Sequence, residues 1–175
     1  INGASEITED LLQIDLLDNA GVIRYGGTAD SIASVSATDK IEFADLLKLH
    51  IDLNQNRTPT STKMLTGTRM IDTKTIGGGR IMYIGSEMQP VFEKMKDSFD
   101  ERAFIPVHQY AANGTTVNGE IGSVGYFRIV VVPEMMNYTG AGAAIGDDTA
   151  HYSTGGKFDV FPMLVIGEGA FTTIG

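Results

Sequence analysis

The side chains with the most evident capacity for chemistry are Asp147, Asp148 and His151, because two carboxylates and an imidazole three residues on can reach one cation. A cation held there would acidify its bound water and support a cation-dependent, hydrolase-like activity. The same residues also read as an ordinary solvated loop. The other histidines are His50 and His108, and no two of the three have ligand spacing, which removes the usual zinc arrangements. His50 falls on an apolar helical face and reads as a hydrogen-bonded core residue. His108 follows Phe104-Ile105-Pro106-Val107 and reads as a strand end rather than a base. No catalytic, cofactor-binding or metal-ligating set emerges from these residues.

Three glycine-rich stretches invite a phosphate-binding or nucleophile reading, and each fails on spacing. Gly140-Ala141-Gly142 would need glycine at 145 for the dinucleotide fingerprint, but that position is Ile145. Gly155-Gly156-Lys157 resembles the end of a P-loop, yet the first required glycine falls on His151 and the hydroxyl position is Phe158. Ile121-Gly122-Ser123-Val124-Gly125 approaches a nucleophile elbow with its first glycine displaced by one.

Composition narrows the classes further. Thirteen basic against twenty-two acidic residues give a net charge of −9, which opposes binding to a phosphate backbone. Sequence-specific nucleic-acid binding is not expected. No run of eighteen apolar residues is present, so no membrane-spanning helix is expected. Cysteine is absent, which removes disulfides, thiolate metal cages and a cysteine nucleophile, and suits a reducing cytoplasm. A hydrophobic content of 42% against 20% charged residues supplies the material for a core in one ordinary domain. The chain starts at Ile1 and stops at Gly175 directly after a strand-like run, so it reads as a fragment or processed product.

The elements that must position these residues follow from periodicity. A helix is expected over residues 6 to 18, capped by Thr8, with Ile7, Leu11, Ile14 and Leu17 at helical spacing. Leu12 and Leu16 widen its apolar surface. Residues 26 to 38 are small and polar and read as an exposed, mobile loop. A second helix is expected over 41 to 54, with Phe43, Leu46, Leu47, His50 and Ile51 on one face. A third begins at a capping box formed by Ser86 and Gln89 and buries Met88, Val91, Phe92, Met95 and Phe99. Ile-Gly occurs six times, mostly where an apolar run halts. Strands are expected over Thr68 to Ile76, Arg80 to Ile84, Phe127 to Val132, Asp159 to Ile166 and Phe171 to Ile174. The run at 127 to 132 is nearly continuous in apolar character and should be a central strand covered on both faces. About three helices flanking a mixed sheet make an α+β domain.

Read in order, these runs carry a resemblance. Residues 7 to 17, ITEDLLQIDLL, and 20 to 27, AGVIRYGG, are similar to segments of the major capsid proteins of tailed bacteriophages and prophages. So are DLNQNRTPTSTKMLTGTRMIDTKTIGGGRIMYIGSE at 52 to 87, GEIGSVGYFRIVVVPEM at 119 to 135 and GGKFDVFPMLVIGEGAFTTIG at 155 to 175. The resemblance implies the Hong Kong 97-type capsid fold, with residues 1–20 as the end of the spine helix of the peripheral domain. Residues 21–175 would then be the axial domain with its connections to the periphery. It implies a structural subunit, not an enzyme, made in the bacterial host cytoplasm. Copies would form pentamers and hexamers of an icosahedral shell around phage DNA, with scaffold or decoration proteins as further partners. Within that picture Gly140, Gly142, Gly146, Asp147 and Asp148 are the candidate assembly loop, whose low side-chain volume would let the contact angle vary near a ring centre. A soluble virion-surface binding module is the alternative, for which the chain has little aromatic surface, with no tryptophan and 8% aromatic content.

Overall fold

The computed structural model describes residues 2–65, 73–76, 79–110, 117–149 and 151–168. Its first element, α1 (Asn2–Asp18), is longer than the spacing predicts, so Thr8 lies inside the helix and not at its cap. Leu12, Leu16 and Leu17 are half-buried, whereas the expected stripe is largely outside, with Ile7 63% and Leu11 59% exposed. The segment that follows carries internal hydrogen bonds along its length. Asp39 accepts hydrogen bonds from Thr28 N (3.0 Å), Ser36 N (2.9 Å) and Ser36 Oγ (2.6 Å), and Ser34 Oγ accepts from Asp30 N and Ser31 N, both at 3.1 Å. Short polar side chains thus replace secondary structure as partners for the backbone. The Ser36 and Thr28 bonds hold the Asp39 carboxyl down at about 2.

The second helix, α2 (Phe43–Gln55), matches its expected span and buries Leu46 and Leu53, although Ile51 is 53% exposed. Asp45 accepts the Glu42 N–H at 3.1 Å at its first turn. Arg57, in the left-handed region at φ 55°, turns the chain out of the helix. An antiparallel pair follows, β1 (Thr62–Leu65) with β2 (Thr73–Ile76); the remainder of the strand expected from Thr68 lies outside the described residues.

The core is a five-stranded sheet. Its members are β3 (Arg80–Ile84), β4 (Phe104–Pro106), β5 (Glu120–Val124), β6 (Phe127–Val131) and a later strand at Leu164–Ile166, in the order β4, β5, β6, β3 and then that last strand. β3 and β6 run parallel, with Met82 opposite Ile129, and the other pairings are antiparallel. The α+β class with a mixed sheet therefore stands. Side chains alternate across the sheet. Met82, Ile84, Phe127 and Ile129 face α2 and the 88–95 segment, while Ile81 and Val130 face the opposite side. β6 is the central strand and is buried on both faces, as its continuous apolar run predicts.

The third helix is shorter than its spacing suggests. A 3-10 turn at Ser86–Met88 leads into α3 (Gln89–Glu93), and no capping box forms at Ser86. Phe92 and Met95 are buried, but Phe99 is 85% exposed. Asp97 is the reason. Its carboxylate accepts the Phe99 N–H at 2.8 Å and the Glu101 N–H at 3.0 Å, which competes with helix continuation and reverses the chain. A fourth short helix, α4 (Val107–Tyr110), follows β4, so the described residues hold four α-helices where about three are expected.

The remaining strands are the hairpin β7 (Ser153–Thr154) and β8 (Lys157–Phe158), and β9 (Leu164–Ile166), which is shorter than the run expected from Asp159. The strand expected at Phe171 to Ile174 lies outside the described residues.

Candidate functional site

The three near-miss glycine motifs all serve chain geometry. Gly155 (φ 62°) and Gly156 (φ 77°) form the two-residue turn of the β7–β8 hairpin, a conformation glycine adopts without steric cost. Gly125 (φ 56°) begins the tight connection from β5 to β6. At Gly122 a Cβ would lie 2.4 Å from the Phe104 ring, so the β4–β5 pairing requires glycine there.

The candidate assembly loop is tied down along its length. Gly140 N donates to Asp159 Oδ1 (2.6 Å), Gly142 N to Phe158 O (2.9 Å), Ala143 N to Val35 O (2.9 Å) and Ile145 N to Gly156 O (3.1 Å). At Gly142 a Cβ would lie 2.8 Å from Val35 O and 2.9 Å from Phe158 O, while at Gly140 (φ 62°) it would lie 2.8 Å from Thr154 O. At Gly146 (φ 57°) it would meet nothing within 4 Å. Gly140 and Gly142 are thus packing residues, and Gly146 is the one with open space. Asp147 is exposed, and Asp148 Oδ1 pairs with His151 Nδ1 at 3.0 Å. Among the described residues no group of three or more His, Asp or Glu gathers as a metal site.

Two buried polar networks escape sequence reasoning. Arg80 is 2% exposed, and its guanidinium bonds His50 Nδ1 (2.9 Å), Asn54 Oδ1 (2.8 Å) and Thr58 O (2.7 Å), leaving Nε with no partner. His50 stacks on Tyr126 with ring centroids 3.9 Å apart, and burial together with the Arg80 charge holds its imidazole below the ordinary histidine value. On the far side of the sheet, Glu120 accepts from Arg128 Nε (2.8 Å), Arg128 Nη2 (2.9 Å), Tyr110 Oη (2.6 Å) and Val117 N (3.0 Å). Burial pushes its carboxyl up, but the Arg128, Tyr110 and Val117 bonds outweigh that and hold it below the usual carboxylate range. Burial, and then the bond to Glu120, pushes Tyr110 up to about 12. Both networks are consumed internally and fasten α2 and α4 to the sheet. His50 is hydrogen-bonded, as its helical face implies, but only half-buried rather than in the core, and His108 is exposed just beyond β4.

Besides the exposed stripe of α1, two apolar features stand out among the described residues. One is a recess of about 530 Å³ between the end of α1, α2, α3 and the 158–165 segment, lined by Leu17, Val22, Leu49, Val91 and Met163. Ile23 and Tyr152, each 62% exposed, also line it. The other is the Phe99 tip. There Asp97 N donates to Glu101 O (2.8 Å), Lys96 Nζ meets Asp100 at 2.7 Å, Asp100 takes the left-handed φ of 64°, and Ala103 N donates to Met95 O (3.0 Å). The tip is a built turn standing on the buried Met95 and Phe104.

No protein-family model matches the chain. Over 177 aligned residues it is 51% identical to the major capsid protein of Pseudomonas phage KPP21, a match that takes in 100% of this chain and 44% of that protein. The chain thus spans less than half the length of the curated relative it matches. The resemblance read from the residues therefore holds, and along its whole length this chain is similar to a phage major capsid protein.

Proposed function

We propose that this chain is part of a major capsid subunit of the Hong Kong 97 type, whose role is association with copies of itself rather than catalysis. The observation that carries this reading is the 51% identity to a phage major capsid protein across the whole chain. Residues 1–20 are the end of the spine helix and residues 21–175 the axial domain with its connections to the periphery. The exposed Ile7 and Leu11 of α1 support that division, because they present an apolar stripe on a helix that needs a further partner. Subunits form pentamers and hexamers by heterologous contacts, in which two unlike patches meet around a closed cycle. The rings tile a virion shell around DNA after synthesis in the host cytoplasm, with scaffold or decoration proteins as further partners.

Expression of the complete subunit followed by electron microscopy tests the reading. Closed shells or rings are expected. A persistent monomer under assembly conditions would overturn it.

A further inference from the structure

We propose that His50, Arg80 and Asn54 form an acid-released latch, which at neutral pH holds the last turn of α2 and the base of the β1–β2 ribbon against the sheet and frees them as pH falls. The latch is a property of this domain alone and does not depend on the shell-forming reading.

Even with His50 uncharged, the corner is short of acceptors. A guanidinium only donates, so Arg80 Nη1 at 2.9 Å makes His50 Nδ1 the acceptor, and the single proton of the neutral ring sits on Nε2. Nε2 lies 3.0 Å from Asn54 Nδ2, while Asn54 Oδ1 accepts from Arg80 Nη2 at 2.8 Å. Two donors therefore face each other. Turning the amide over gives the ring an acceptor but sets Asn54 Nδ2 against Arg80 Nη2, so the mismatch moves without disappearing. Arg80 Nε, on a residue 2% exposed, has no acceptor either, and no carboxylate is among the partners of the guanidinium.

A second proton on the ring can only go to Nδ1, which points at that guanidinium. The other groups facing the ring offer no compensation. Tyr126 stacks on it from the β5–β6 turn at 3.9 Å, and Phe127 meets it edge-on from β6. On α2 itself, Asp52 is turned to Arg24 at 2.6 Å and Asp45 lies 3.8 Å from Lys48. His50 is half-buried and Asn54 is exposed, so the proton has a path from solvent. Burial and the Arg80 charge hold the closed ring below the ordinary histidine value, so an opened corner takes up the proton more readily and opening gains as pH falls.

What opens is set by what the corner carries. Arg80 Nη2 also grips Thr58 O at 2.7 Å, shortly before the ribbon begins, and the same turn is closed by Arg57 N on Asn54 O (3.0 Å) and Thr58 N on Leu53 O (2.9 Å). Leu46 and Leu53 sit in the apolar core and keep the body of α2 in place. Release is thereby confined to the His50 and Asn54 side chains and the turn at 54–58.

Hydrogen exchange on the full-length subunit tests the latch, followed at pH 7.5 and pH 5 over a series of low urea concentrations and corrected for intrinsic exchange rates. The amides of Asn56, Arg57 and Thr58 should lose protection roughly 3- to 30-fold at the lower pH, the range set by a histidine of about 6.5 in the open corner. Their exchange should be insensitive to urea, because a local opening exposes little surface, whereas Met82 and Ile129 should respond to it steeply. His50→Gln, with no proton to gain, should abolish the acid-dependent loss. Asn54→Asp keeps the ring and gives both Nε2–H and Arg80 an acceptor, so it should blunt the loss, and it carries the test if His50→Gln fails to fold. Equal protection at the two pH values in the unsubstituted subunit would overturn the latch, as would an undiminished loss in either variant. A urea response at residues 56–58 as steep as that of Met82 would also overturn it, since the opening would then be unfolding of the whole domain.

Discussion

Arg80 is a cation enclosed without a carboxylate, and its neighbours show how that is tolerated. Its acceptors are a neutral imidazole, an amide and a backbone carbonyl, each within 2.9 Å. His50 must therefore stay uncharged, since a proton on it would face the guanidinium directly. Among the described residues, the elements packed around it contribute Tyr126, Phe127 and Asn54, none of them charged. Because its folded-state value is lowered, the unfolded chain binds the proton more readily as pH falls. The stabilisation is fully present above the unfolded histidine value of about 6.5 and is lost as pH falls through the lower folded value. Urea unfolding at pH 7.5 and pH 5 should show this loss, and His50→Gln should remove most of the difference between the two. Glu120 is the opposite case, a carboxylate with 0% side-chain exposure paired to Arg128 with 12%. Glu120→Ala would remove two bonds from the Arg128 guanidinium and the acceptor of the Tyr110 hydroxyl and the Val117 N–H, and should cost about 3–5 kcal/mol, measured by chemical denaturation.

At the scale of elements, the glycines separate folding from assembly. Gly142→Ala drives a methyl group against two backbone oxygens and should destabilise the domain before any effect on particles can be read. Gly146→Ala meets open space and should cost only the left-handed strain of an alanine, about 1 kcal/mol. Thermal unfolding should rank the two in that order. Gly146 is accordingly the position at which altered shell size or yield would report on the loop's proposed assembly role. What was legible in the residues follows the same division. β3 and β6 were readable because their apolar runs are continuous and end at structural breaks. β5 was not, because Glu120, Gly122 and Ser123 interrupt its apolar alternation, and the glycine is explained only by the Phe104 ring lying against it. The helix expected to reach Phe99 was extended too far, since apolar spacing carries no warning that Asp97 will capture the backbone two and four residues later. The exposure of Phe99 follows from that early stop.

For the whole molecule, the sheet order sets a gradient of protection. β3 and β6 have a strand on each side, whereas β4 and β9 are the edges of the sheet among the described residues. Hydrogen exchange should accordingly be slowest at Met82 and Ile129, faster in β4 and β9, and fastest in the short β7–β8 hairpin. Uniform protection across the sheet would contradict this arrangement. The position of β3 has a further consequence in the living cell. Both of its neighbours are encoded after it, so Ile81, Met82 and Ile84 leave the ribosome well before Ile129 and Val165 can lie beside them. During that interval an apolar ribbon of the nascent chain is open along both edges, among many sister chains in the same state. Any factor that shelters residues 80–84 until residue 166 has emerged would govern how many sound subunits a cell produces, ahead of every step in which they meet.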